Sequence, residues 1–266
     1  MGSDSNTAGV AMGSFYEFFA GGGMARAGLG PGWTCLFAND VDGRKGLTYQ
    51  DNWGTGGELH IGDVGRLTTS QLPGQADLIW GSFPCQDLSL AGVGAGLNGE
   101  RSGTFYPFWR VVKALIAEGR GPRIVALENV CGTLTSREGR DFEAICNAFA
   151  GAGYRYGALV INARLFVPQS RPRLFVIGVS ADVQVDPALL SSGPIEPFHT
   201  PDKFGVPSSA IYRFCWASNP APFIEVNTAA VATPLSLPGT PDVLPAISVS
   251  VPSAFSRQIW LVEPVE

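Results

Sequence analysis

Residues 76–86 read Ala76-Asp77-Leu78-Ile79-Trp80-Gly81-Ser82-Phe83-Pro84-Cys85-Gln86. The apolar run through Trp80 predicts a buried strand, and Gly-Ser-Phe-Pro-Cys-Gln predicts a tight turn at its carboxyl end. In an open α/β sheet, ligands and reacting groups collect at that end. Pro84 has a fixed φ and no amide hydrogen, so it ends the strand and stiffens the backbone beside the Cys85 thiol. Glycines at 92, 94, 96, 99 and 103 follow, a stretch able to fold over a substrate. A lone cysteine is more often a small buried hydrophobe; this one is read with the segments around it.

Up to about residue 180 the chain alternates. Strand-like runs fall at 14–19, 34–38, 78–81, 124–127, 159–162 and 174–179. Residues 108–118 carry apolar side chains at 108, 111, 112, 115 and 116, a helical spacing. Asp141 suits a helix start and is followed by Phe142, Ile145 and Phe149. This alternation predicts an α/β fold with a doubly wound sheet. Three regions are expected: a flexible segment at 1–13, a catalytic domain at 14–180, and a short irregular region at 181–266. The last holds 13 of the 20 prolines and no sustained periodicity.

Five cysteines, an odd number without a C-x-x-C pair, argue against a disulfide framework and a structural zinc site. Two histidines leave little for Ser-His-Asp chemistry or His-based metal binding. Neither a signal peptide nor an apolar run of membrane-spanning length is visible. A cytoplasmic protein is expected, nucleoid-associated if bacterial. The net charge is −5, but residues 101–173 carry 11 basic and 5 acidic side chains between two acidic segments. That fits phosphate contact, and equally a solvated arginine-rich helix face.

Four further segments carry candidate chemistry. Phe19-Ala20-Gly21-Gly22-Gly23 follows a strand and opens a helix running to about Leu29. Its glycines allow a cofactor to approach the backbone, although a glycine triplet is often only a turn. Arg26 occupies the last glycine position of the dinucleotide pattern G-x-G-x-x-G, which is therefore not met. Asn39-Asp40 ends the next strand; Asp40 suits ribose hydroxyls or a helix cap equally. Asp63 sits where a third strand end would meet an adenine. Together these point to a nucleoside cofactor without a pyrophosphate. Leu127-Glu128-Asn129-Val130 would aim a carboxyl into the crevice of Cys85, or cap a helix. Gln169-Ser170-Arg171-Pro172-Arg173 puts two arginines two apart, on one face of an extended segment. They suit either structural carboxylates or a base carbonyl and a phosphate.

In this order the segments FFAGGG, AND, GSFPCQ, LENV and QSRPR resemble the motifs of the DNA (cytosine-5)-methyltransferases, over roughly residues 14–180. The resemblance implies a Rossmann-like S-adenosylmethionine-dependent methyltransferase sheet acting on a flipped-out cytosine in DNA. It implies Cys85 as nucleophile, Glu128 as the residue holding and protonating the base, and Arg171 and Arg173 as supports. Phe19, Gly21, Gly23, Asp40, Asp63, Pro84 and Phe105 would line the cofactor pocket. The family's closing Asn-Ser-Val motif is not found in the acidic region 181–266. A compact recognition region, a partner chain supplying the missing parts, or a weakened protein would each account for that. The family also has a branch acting on tRNA cytosine. A regulatory, nucleic-acid-binding subunit is the non-enzymatic alternative.

Overall fold

Strands β1 (Gly13–Phe18), β2 (Trp33–Asp40), β3 (Leu59–Ile61), β4 (Leu78–Gly81), β5 (Ile124–Asn129), β6 (Tyr154–Asn162) and β7 (Pro172–Ser180) form one sheet in the order β3-β2-β1-β4-β5-β7-β6. Four α-helices accompany them: α1 (Met24–Leu29), α2 (Gly43–Trp53), α3 (Phe105–Ala117) and α4 (Arg140–Gly151). This computed structural model describes residues 13–84 and 104–185, and the backbone of two short strands, β8 (Leu190–Ser191) and β9 (Phe223–Ile224). Strands β1 to β5 are mutually parallel where they pair, and β7 runs antiparallel to both β5 and β6. Only residues 163–171 separate β6 from β7, too few for the crossover that a parallel pair requires.

The expected doubly wound α/β sheet is present. On one face α3 buries Phe105, Phe108, Trp109, Val111, Val112 and Leu115, and α4 buries Phe142, Ile145 and Phe149. The two helices meet through Trp109 and Phe149, whose ring centres lie 4.8 Å apart. Pro107 is tolerated because the first turn of a helix has no intrahelical partner for its amide. A Cβ at Gly178 of β7 would stand 2.3 Å from the Phe149 ring, so glycine is what lets α4 settle on the sheet. The other face closes over Phe15, Leu29, Trp33, Leu78, Ile124, Ala126 and Val179. Strand β5 is buried almost throughout, as expected of a central strand covered on both sides.

Several boundaries differ from the expectation. The first strand stops at Phe18, because Phe19 turns to φ 59° and leaves the extended region. The strand expected at 159–162 begins at Tyr154, since pairing with β7 extends it. Helix α2 was not foreseen: it is mostly polar and buries only Gly46 and Tyr49, so no apolar period marks it. Asp42 caps it, accepting from the Arg44 amide at 2.8 Å, which removes the helix-cap reading of Asp40.

Candidate active site

The order β3-β2-β1-β4-β5 reverses direction between β1 and β4, and the crevice at such a switch point is where these sheets bind ligands. The glycine turn leaves β1 there, and Ser82-Phe83-Pro84 leaves β4 beside it. The Ser82 amide reaches the Phe18 carbonyl at 3.4 Å.

The turn is held from several sides. Phe19, Gly21 and Gly23 all have positive φ, at 59°, 55° and 82°. Asp40, buried at the end of β2, accepts from the Gly21 amide through Oδ2 and from the Asp42 amide through Oδ1, both at 2.9 Å. Asn52 Nδ2 and Trp53 Nε1, at the end of α2, both donate to the Gly22 carbonyl at 3.0 Å. A Cβ at Gly23 would meet Trp53 Nε1 at 2.1 Å, so only glycine fits there. Arg26, which displaces the dinucleotide glycine, bonds Tyr49 at 2.9 Å and Glu58 at 2.6 Å, tying α1 to α2 and to the start of β3.

Glu17 was not singled out from the sequence, where it is one acid in an apolar strand. It is 2% exposed. One carboxyl oxygen accepts from the Ala25 amide at 3.1 Å, capping α1 from the neighbouring strand. Its Oε2 is buried without a hydrogen-bond partner. Burial pushes its pKa up to about 8. Asn39, equally unforeseen, donates to the carbonyls of His60 (3.0 Å) and Gly62 (2.9 Å), fastening the end of β2 to that of β3. This fixes Asp63, which caps the next helical turn by accepting from the Gly65 amide at 2.8 Å. Val41 and Ile61, at the carboxyl ends of β2 and β3, are apolar yet 69% and 44% exposed. Phe105 is fully buried and stacks behind Phe83 and Trp109 at 5.4 and 5.8 Å.

On the other side of β4, Glu128 near the end of β5 accepts from Arg173 Nε of β7 at 3.0 Å, both side chains about a quarter exposed. Asn129 donates to the Phe83 carbonyl at 3.1 Å and accepts from the Val130 amide at 2.8 Å. The second residue of the Glu-Asn pair thus ties β5 to the corner leading into Pro84. Arg173 also donates to the Pro172 carbonyl at 2.9 Å. Arg171 is exposed and lies before the strand, its amide donating to Asn162 Oδ1 at 2.9 Å. The structure therefore joins Arg173 to Glu128. Cys85 and the glycine-rich stretch after it, with Ser89 and Arg101, lie outside the described residues. Burial raises the thiols of Cys35 and Cys131 to about 11, and neither is a ready nucleophile. Among the described residues no cluster of His, Cys, Asp and Glu fits a metal, and no helix is long and apolar enough to cross a membrane.

The model of the C-5 cytosine-specific DNA methylases matches residues 13–212. The chain belongs to that family. Among curated methylases it is 31% identical to the type II methyltransferase M.BsuFI of Bacillus subtilis, over 65% of this chain and 41% of that one. It is 28% identical to M.HhaI of Haemophilus parahaemolyticus, over 64% of this chain and 50% of that one. The chain thus spans between 24% and 50% of the length of these and similar curated methylases. The fold is shared with the S. pombe Dnmt2 methyltransferase, at a TM-score of 0.53 and 19% identity over 64% of this chain and 52% of that one. It is shared equally with the Entamoeba histolytica methyltransferase EhMeth, at 0.53 and 19% over 71% and 62%.

Proposed function

We propose that this methylase transfers a methyl group from S-adenosylmethionine to ring carbon 5 of a flipped-out cytosine in DNA, through a covalent adduct with Cys85. The observation that carries the reading is the Glu128–Arg173 pair beside the Asn129–Phe83 bond. It sets a hydrogen-bonding carboxyl on the strand next to the corner that runs into Cys85.

The crevice suits the cofactor on its own chemistry. The unpartnered Oε2 of Glu17, under the glycine turn, would be satisfied by an ammonium group. Asp40 and Asp63 would take ribose and adenine polar atoms, and Val41 with Ile61 would cover the adenine faces. Phe19, Gly21 and Gly23 shape the turn around it, Pro84 stiffens the neighbouring corner, and Phe105 backs it through Phe83. When bound, S-adenosylmethionine supplies the electrophilic methyl.

The chain's own residues then have defined tasks. The Cys85 thiolate bonds to ring carbon 6, and the electrons of the 5,6 double bond make carbon 5 nucleophilic. Glu128 steadies the charge that gathers at ring nitrogen 3. Arg173 keeps that carboxyl oriented. After methylation a base removes the carbon-5 proton. The C–H electrons restore the double bond as the sulfur–carbon bond breaks and the Cys85 thiolate leaves with that bond's electron pair. Extrusion of the cytosine from the duplex costs a few kcal/mol.

Bisulfite sequencing of DNA from cells expressing the chain should reveal methylated cytosines. A duplex carrying 5-fluorocytosine at such a site should then form a denaturation-resistant adduct when cofactor is present, and Cys85→Ser should abolish it. An equally abundant adduct in Cys85→Ser would move the nucleophile elsewhere.

A further inference from the structure

Trp80, in β4, and Ser82, just past its end, lie two apart and so on the same face of the sheet, and the mechanism above uses neither. Trp80 Nε1 donates to Ser82 Oγ at 2.8 Å. An indole nitrogen can only donate, and a half-buried tryptophan needs an acceptor for it, so this bond fixes the direction of the Ser82 side chain. Ser82 opens the corner Ser82-Phe83-Pro84, and its own amide reaches Phe18 only at 3.4 Å. Trp80 therefore braces the first residue of that corner from within its own strand.

The same side chain reaches the other half of the site. Trp80 pairs in register with Ala126 of β5, and Glu128 of β5 pairs with Phe175 of β7. Strands β4 and β7 are second neighbours across β5, about 10 Å apart. Yet the Trp80 and Phe175 rings meet edge to face, with centres 6.1 Å apart. Ala126, between them on that face, is small enough to let the rings close over β5. Glu128 stands two residues on from Ala126, opposite Phe175, and its partner Arg173 is two residues from Phe175 on the same side of β7. Trp80 thus touches Ser82 through its nitrogen and Phe175 through its ring. The corner and the Glu128–Arg173 pair are both set against one side chain.

We propose that Trp80 is a positioning residue for methyl transfer: it fixes the spacing between the corner that runs into Cys85 and the Glu128 carboxyl, acting through Ser82 on one side and Phe175 on the other. The proposal rests on the cytosine reading above. Attack at ring carbon 6 and support of ring nitrogen 3 fall on one base, so the two groups must keep their spacing; a misplacement of about 1 Å costs on the order of a hundredfold in rate. A hydrogen bond and an edge-to-face ring contact are directional, a restraint that an aliphatic side chain at position 80 would not supply.

The test is methyl transfer by the full chain from tritium-labelled S-adenosylmethionine to unmethylated plasmid DNA, with S-adenosylhomocysteine affinity and melting temperature measured on the same variants. Trp80→Phe keeps a ring against Phe175 and removes the N–H; Ser82→Ala removes the acceptor. Each should lower kcat about 3–10-fold, and the double variant should be no slower than the slower single, because both break one bond. S-adenosylhomocysteine affinity should fall by less than kcat. Ser82→Thr, which retains the acceptor, should recover most of the loss, and Phe175→Leu, which removes the ring on the other side, should also lower kcat. Variants that melt earlier yet turn over at the wild-type rate overturn the proposal and leave the bond a purely structural one. So do losses that multiply in the double variant, and so do kcat and cofactor affinity falling by the same factor. A wild-type chain that binds S-adenosylhomocysteine but transfers no methyl group to DNA overturns the cytosine reading itself, and the proposal with it.

Discussion

Glu17 places a carboxyl where water cannot reach it, with one oxygen unpartnered. Its pKa of about 8 in the folded protein compares with about 4.3 in an unfolded chain. Between those values the native state holds the extra proton, so stability falls as pH rises; the cost is absent below about pH 4 and complete above about pH 8. Glu17→Gln keeps the acceptor for Ala25 and removes the ionisation. Without ligand it should melt about 3–10 °C above wild type at pH 9, and most of that gap should be gone at pH 5. Scanning calorimetry at the two pH values checks this; a gap independent of pH would remove the titration of Glu17 as its cause. The same variant should bind S-adenosylmethionine more weakly if it loses the partner proposed for the ammonium group. Asp40 makes a second residue-scale case. Asp40→Ala removes the acceptor of two backbone amides as well as the proposed ribose partner. Cofactor affinity measured by titration calorimetry should fall by about 1.5–3 kcal/mol. Unchanged affinity in a folded variant would limit Asp40 to bracing the Gly21 turn.

At the scale of elements, the site is assembled by side chains that tie strand ends together. Asn39 joins β2 to β3, Asn129 joins β5 to the exit of β4, and Arg26 joins α1, α2 and the start of β3. Asn129→Ala would leave the Phe83 carbonyl buried without its donor, at about 1–3 kcal/mol of stability. Because the loosened element is the corner before Cys85, kcat should fall about tenfold or more, while cofactor affinity, which rests on β1 to β3 as well as on this corner, should fall by less. Urea unfolding and steady-state methyl transfer together test this. Equal losses in cofactor affinity and turnover would show that the bond supports the whole sheet and not the corner. The connection between β6 and β7 follows the same logic, since Asn162 Oδ1 accepts from the amides of both Arg164 and Arg171.

For the whole molecule, the distribution of charge and proline sets an expectation for target choice. Residues 181–266 hold 13 of the 20 prolines and are acidic, which disfavours phosphate contact and a large separate core. Specific readout needs several base-edge contacts, each contributing about 1–3 kcal/mol. Candidates in that region are few, among them Lys203, Arg213, Arg257, Asn219, Asn227 and Gln258. Methylation by the purified chain alone should therefore show a short, degenerate sequence preference, or require a partner chain. Mapping all methylated cytosines on a long substrate checks it. A sharp motif of six or more base pairs from the chain alone would contradict it.

The sequence by itself determined the alternating α/β architecture, the strand ends at 18–23, 40 and 81–85, and the family, because apolar runs and short motifs are local signals. Polarity hid α2, which lacks an apolar stripe, and Glu17, whose burial arises only when α1 folds back over β1. Tertiary structure alone decided that β7 runs antiparallel, that Arg173 meets Glu128, and that Asn129 serves Phe83, not a helix. Each of these depends on which residues sheet pairing brings opposite one another. Glu128 and Arg173 are 45 positions apart in the chain yet 3.0 Å apart in space, a distance that no local pattern encodes.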